Sequence, residues 1–199
     1  PAAMLDVLNA TNFPLTTASG GAGGLDLAGV TGAFKIFDDD FDGLTANLDV
    51  DDDNDGITDL NENGGFDGFA DTDADGLPNF FDPSFAGFVD GNADGINDNF
   101  DVDQDGVINQ IDLDSDNDAL PDLIEAGGVD TNGDGRVDGP FADTDGDGLH
   151  NTYDASSGGD ALPNRDLDGD GIPNSKDVDS DNDGISDIRE ADGESIDTH

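Results

Sequence analysis

Apolar residues fall along this chain in two patterns, and the change between them comes at residue 37. Over residues 1–37 they stand in short clusters, first Leu5, Val7, Leu8, Phe13 and Leu15, then Leu25, Leu27, Val30, Phe34, Ile36 and Phe37. The glycine-rich break Ser-Gly-Gly-Ala-Gly-Gly at 19–24 separates the two groups, and only two acids, Asp6 and Asp26, interrupt them. These clusters are candidate short strands. From Asp38 onward apolar residues stand singly, each following an alternation of aspartates and a glycine in the word D-x-D-x-D-G-Φ-x-[DN]-x-x-[DE], with Φ apolar. A repeated word of loop length predicts an array of loops rather than packed helices or a sheet. The chain therefore divides into an apolar N-terminal segment, 1–37, and a repeat array, 38–199.

Ten copies share one register. Position 1 is Asp38, Asp51, Asp71, Asp90, Asp101, Asp114, Asp130, Asp143, Asp166 and Asp179. Position 3 is Asp40, Asp53, Asp73, Asn92, Asp103, Asp116, Asn132, Asp145, Asp168 and Asp181, and position 5 is Asp42, Asp55, Asp75, Asp94, Asp105, Asp118, Asp134, Asp147, Asp170 and Asp183. Position 6 is glycine except at Ala119. Position 7 is Leu44, Ile57, Leu77, Ile96, Val107, Leu120, Arg136, Leu149, Ile172 and Ile185. Position 12 is acidic at Asp49, Glu62, Asp82, Asp101, Asp112, Glu125, Asp154, Asp177 and Glu190, and is lost only at Phe141. The tandem pairs that start at 38/51, 101/114 and 166/179 recur 63 and then 65 residues on, which marks a longer unit of four loops.

The spacing suits a metal loop. Carboxylates two residues apart on a tightly turning backbone converge on one point, the glycine permits the turn, and an acid at position 12 closes the shell. Position 7 would add its backbone carbonyl. Such all-oxygen sets are hard and anionic and suit Ca²⁺, at about 2.3–2.6 Å, better than the smaller and stricter octahedron of Mg²⁺. The loop at Asp130, with Arg136 at position 7 and no closing acid, is the weakest copy and would have to borrow Asp138 or Asp143.

Composition strengthens this reading. Fifty Asp and Glu face five Lys and Arg, a formal charge of −45, and all but four of the acids are aspartate. Hydrophobic residues are 33% of the chain, below the roughly 45–50% of a globular domain, so without help the chain would be too repulsive and too polar to fold. Ten divalent ions would bring −45 to −25 and stand in for a core. The same charge argues against nucleic acid or an anionic membrane as partner. With no cysteine there is neither a disulfide staple nor a thiolate metal site, and no apolar run reaches the roughly 18–20 residues of a transmembrane segment. The chain starts at Pro1, without a signal n-region, and reads as a processed or excerpted chain.

The match to the EF-hand loop is complete at 51–62 and 179–190 and, apart from Ala119, at 114–125. Loops 11 or 13 residues apart nevertheless leave no room for a flanking helix on each side. Proline at position 8 (Pro78, Pro121, Pro173) also removes the N–H that strand pairing between EF-hand loops requires. The words DSDNDGISDIRE, DLDGDGIPN and DTDGDGL instead resemble thrombospondin type 3 repeats in a bacterial, cysteine-free form, over about residues 38–190. That resemblance implies a chain wrapped around a file of about eight to ten Ca²⁺ ions, an extended rod with little regular secondary structure, found in extracellular matrix and bacterial surface proteins.

These observations lead to an expected function: an extracellular, secreted or cell-surface, calcium-stiffened stalk or filament subunit that self-associates or forms part of a larger surface protein. A calcium-dependent adhesin or dockerin-like binding module is the main alternative, and a passive calcium store or mineral-nucleating protein a third. An enzyme is not expected, since His150 and His199 are the only histidines and His150 falls inside a metal loop. Seven of the twelve phenylalanines lie between 66 and 100. They read either as small clusters covering one turn of the repeat or as a contact surface between chains. The segment 1–37 poses the same choice, a joint to another copy or a cap of its own.

Overall fold

A computed structural model describes residues 38–46 and 48–191; the N-terminal segment, with its candidate strands and its two readings as joint or cap, lies outside the described residues. Regular secondary structure is sparse. Among the described residues there are three single-turn α-helices, α1 (Asp59–Glu62), α2 (Asp122–Glu125) and α3 (Asp187–Ala191), and three 3₁₀ turns, η1 (Asn79–Phe81), η2 (Asn109–Ile111) and η3 (Asn174–Lys176). No strand occurs among the described residues.

The loops fold by the aspartates' own hydrogen bonding to the backbone. In nine loops the position 1 carboxylate accepts the N–H of position 6 at 2.8–3.2 Å. In nine the position 3 side chain accepts the N–H of position 5 at 2.9–3.1 Å. In all ten the position 5 carboxylate accepts the N–H of position 7 at 2.6–3.1 Å. Such short polar side chains compete with helix and strand for backbone donors, which is why an aspartate-rich chain settles into loops.

Two residues per loop turn left-handed. Position 6 does so in every copy, with φ from +78° at Ala119 to +107° at Gly43, as the glycine predicts. Position 4 does so as well, at Phe41, Asn54, Ala74, Ala93, Gln104, Asn117 and Asn182 and at three glycines.

Position 9 then locks the loop. Its side-chain oxygen accepts the N–H of position 2 at 2.9–3.2 Å in nine loops, and Asn serves as well as Asp. The exception, Ala46, is buried in an apolar cluster instead. Each of the six helical turns opens at position 9 and carries position 12 back toward the loop. A closing Glu goes with an α-turn, and a closing Asp, one methylene shorter, goes with a 3₁₀ turn at η1, η2 and η3. Pro78, Pro121 and Pro173 stand in extended backbone immediately before three of these turns, where a missing N–H costs nothing.

Apolar residues form one small core around Phe69, Phe80, Ile96, Phe100, Ile108 and Ala46, with Phe81, Phe85 and Ile111 packed against it. Phe69 and Phe80 meet edge to face at 5.4 Å. The phenylalanine-rich stretch therefore covers its own turn of the repeat, although Phe66 stays 53% exposed.

Long-range ties follow the longer unit. Helix α1 packs on η2 and α2 packs on η3, the same pairing one unit later. Gln110, fully buried, donates to Asp52 Oδ2 at 2.8 Å and accepts from Asn63 Nδ2 at 2.7 Å and from the Gly68 N–H at 3.2 Å. The loop at 130 lies against the loop at 51 through Val137 N–H to Asn54 O at 3.0 Å, and Val50 N–H reaches Asp147 O at 3.0 Å. Loops distant in sequence are thus in direct contact.

Candidate metal centre

Asp71 and Asp179 accept backbone N–H groups with both carboxylate oxygens. The decisive feature is that the aspartates of the most buried loops divide theirs: one oxygen folds the loop, as above, and the other has no hydrogen-bond partner. In the loop at Asp51 these are Asp51 Oδ1, Asp53 Oδ2, Asp55 Oδ2 and both Oε atoms of Glu62, all buried. The four residues are themselves 0–1% exposed. An ionised carboxylate oxygen without a partner in such a place is strongly disfavoured unless a cation meets it. The same split leaves Asp38 Oδ1 and Asp42 Oδ2, Asp101 Oδ1, and Asp114 Oδ1, Asp116 Oδ2 and both oxygens of Glu125 without partners. Among the described residues no backbone N–H donates to any position 7 carbonyl, so those oxygens are also uncommitted.

Several of these sets could hold a metal ion. One ligand atom from each of Asp51, Asp53 and Asp55 lies within 4.8 Å of the others, and so it is for Asp38/Asp40/Asp42, Asp71/Asp73/Asp75 and Asp101/Asp103/Asp105. Electrostatics agree with geometry. Burial, reinforced by repulsion from neighbouring carboxylates, raises Asp51, Asp53, Asp55 and Glu62 well above the usual carboxylate range. Burial likewise pushes Glu125 up to about 11, Asp52 to about 9, and Asp49, Asp116 and Asp122 each to about 7. Two of the chain's five basic residues serve the loop at 51: Arg136 Nη1 donates to Asp53 O and Lys176 Nζ to Glu62 O.

The ten loops are not equal. In the two copies with Asn at position 3 the amide donates to the position 5 carboxylate, Asn92 to Asp94 Oδ2 at 2.7 Å and Asn132 to Asp134 Oδ2 at 2.9 Å. Those loops satisfy internally the oxygen that Asp42 and Asp55 leave without a partner. In the loop at 130, Asp138 takes the ordinary position 9 role, accepting from Thr131 N at 2.9 Å and Thr131 Oγ1 at 2.7 Å, and Phe141 lies edge-on to His150. His150 is structural: its Nδ1 accepts from Thr152 N–H at 3.2 Å, which leaves Nε2–H to donate to Pro140 O at 3.4 Å.

Three features escaped the sequence reading. Position 9 was legible only as a recurring Asp or Asn in the repeat word, yet it closes the loop. In the tandem pairs the position 4 asparagine of the second loop donates to the position 3 aspartate of the first: Asn54 to Asp40, Asn117 to Asp103 and Asn182 to Asp168. Where no loop follows directly, a serine two residues past the closing Asp bridges positions 3 and 12. Ser84 Oγ lies 2.7 Å from Asp73 Oδ2 and 2.8 Å from Asp82 Oδ1, and Ser156 Oγ lies between Asp145 Oδ2 and Asp154 Oδ2, so that each hydroxyl donates its one proton to either carboxylate. The signal was present, because this is the place at which the tandem pairs carry the next loop's first Asp.

Comparison with models of known protein families and with curated proteins finds no match to this chain.

Proposed function

We propose that this chain is an extracellular calcium-binding structural module, a calcium-stiffened stalk or filament element of the thrombospondin type 3 kind. The observation that carries this reading is the loop at 51–62, whose five buried carboxylate oxygens have no hydrogen-bond partners and whose Asp51, Asp53 and Asp55 bring ligand atoms within 4.8 Å of one another. With the Ile57 carbonyl they make six donors, the lower end of the coordination number of Ca²⁺, and all are hard oxygens. When bound, the ion supplies the double positive charge that these oxygens lack.

The chain's part is to hold each aspartate donor by a backbone bond to its other oxygen and Glu62 by its place on α1, so that the site is ordered where an ion binds. Binding then becomes folding free energy, about 2.7 kcal/mol per site at an ion concentration one hundred times the dissociation constant. Loops of this class in extracellular modules bind at about 10⁻⁴–10⁻³ M, which suits a protein that orders outside the cell. Ties across the longer unit make each unit a folded-back block, and a rod results from stacking such blocks or chains.

Small-angle scattering and electron microscopy of the pure protein test this reading. Expected are an expanded coil in chelator and stiff rods or polymers in millimolar Ca²⁺, with no ligand added. An unchanged scattering profile across the titration would overturn it. One observation favours the adhesin alternative, a cleft of about 180 Å³ lined by Asp40, Asn54, Asp134, Arg136, Phe141 and His150, which combines polar groups with an aromatic face. Monomeric particles that retain a specific glycan or protein would support that reading.

A further inference from the structure

The most buried loop of the array, whose open oxygens most need a cation, has a carboxylate from outside its own sequence beside it. We propose that Asp122, from a loop 63 residues further along, supplies a ligand to the metal cage of the loop at 51–62, so that the ion there clamps two successive units together. The inference rests on the calcium reading above.

Asp122 belongs by sequence to another loop, where it fills position 9. Its Oδ1 accepts from Ser115 N at 2.9 Å and its Oδ2 from Ser115 Oγ at 2.6 Å. A carboxylate oxygen has two lone pairs, so neither bond exhausts its capacity. Asp122 is 0% exposed, and one of its oxygens lies within 4.8 Å of ligand atoms of both Asp55 and Glu62. Glu62 is the independent witness. It is 1% exposed, both its carboxylate oxygens lack a hydrogen-bond partner, and the nearby Lys176 donates to its backbone carbonyl rather than to its side chain. Three buried carboxylates from two units therefore face one another, with at least three of their oxygens uncommitted.

The arrangement repeats. In the next unit the residue equivalent to Asp122 is Asp187, and the N–H of the following Ile188 donates to Asp118 Oδ2 at 3.0 Å. The turn of the third unit thus meets the loop at 114 as the turn of the second meets the loop at 51.

The test is a calcium titration of the full chain against a competing chelator, with the number of bound ions counted. Asp122→Asn keeps the position 9 bond, since Asn79, Asn109, Asn151 and Asn174 make it in four other loops. It should weaken the tightest ion by about tenfold or more, because affinity in such loops follows the number of charged ligands. Asp138→Asn, which makes the same local change at a carboxylate whose side-chain bonds are both to Thr131, should leave that ion unchanged. So should Ser115→Ala, which disturbs only Asp122's local role. A tightest ion bound as in the natural chain by Asp122→Asn, or an equal loss in Asp138→Asn, would overturn the clamp.

Should Asp122→Asn fail to fold, a crystal structure of the calcium-loaded natural chain decides the matter. An ion bonded to both Glu62 and Asp122 supports the clamp, and an ion held by residues 51–62 alone overturns it. If the natural chain binds no calcium, the calcium reading itself has failed, a result distinct from any of these.

Discussion

At the scale of single residues, the array depends on left-handed backbone at two places in each loop. Position 6 was legible in the sequence because glycine marks it; position 4 was not, because Phe41, Ala74, Ala93 and Gln104 give no such signal and only the structure reveals their positive φ. Ala119 is the one position 6 residue that carries a side chain, at φ +78°. Left-handed backbone costs an L-residue about 1–2 kcal/mol, while the extra freedom of glycine in the unfolded chain offsets about 0.4–1 kcal/mol of any gain. Ala119→Gly should therefore stabilise the calcium-loaded protein by roughly 0.5–1 kcal/mol, read as a higher Tm. The opposite change at Gly56 should be severe, since a Cβ there would lie 2.5 Å from the Tyr153 ring at φ +89°.

Protonation belongs to the same scale. Burial raises Asp49, Asp116 and Asp122 from an ordinary 3.8 to about 7 and Asp52 to about 9. A carboxyl whose pKa is higher in the folded state favours that state most below its unfolded pKa, and the benefit disappears as pH rises through the folded value. In chelator, then, the chain should be most compact near pH 4 and expand between about pH 4 and 9, as scattering at a series of pH values would show. With calcium in excess the trend reverses, because protons compete for the same oxygens.

At the scale of elements, the tandem pair is the working unit. The second loop's asparagine holds the first loop's position 3 carboxylate, so ordering one loop preorganises its neighbour. Asn54→Gly removes that amide while keeping a residue suited to left-handed backbone, as Gly133, Gly146 and Gly169 are at the same position. Loss of a hydrogen bond worth about 1 kcal/mol predicts roughly fivefold weaker calcium binding by the pair and a shallower titration. Unchanged steepness would mean that the loops bind independently. The Glu-with-α and Asp-with-3₁₀ correspondence was open to reading from the sequence, since the difference between α1 and η1 is carried by the closing residue. The serine bridges at Ser84 and Ser156 had a signal only in their place, two residues past the closing Asp, since a serine there is unremarkable until the loop geometry brings position 3 beside it.

At the scale of the whole molecule, the repeat register identified the loops, and it also contained the 63- to 65-residue period on which the units pack. What it could not convey is which distant residues meet, because Gln110, Arg136, Asp122 and Lys176 act across 58, 83, 67 and 114 residues on partners that no local word encodes. Unequal loops follow from the same geometry. Copies at 90 and 130, closed internally by Asn92 and Asn132, should fill last, and Asn132→Asp should strengthen the second of them.

The central claim, that calcium-ordered loops replace a core, is tested most directly by counting ions on the intact chain by native mass spectrometry as calcium is raised. The account predicts about eight ions bound together as the chain becomes compact, with two more at higher concentration. Two or three ions, acquired one by one without change in the charge-state distribution, would contradict it and leave the array a solvated acidic repeat.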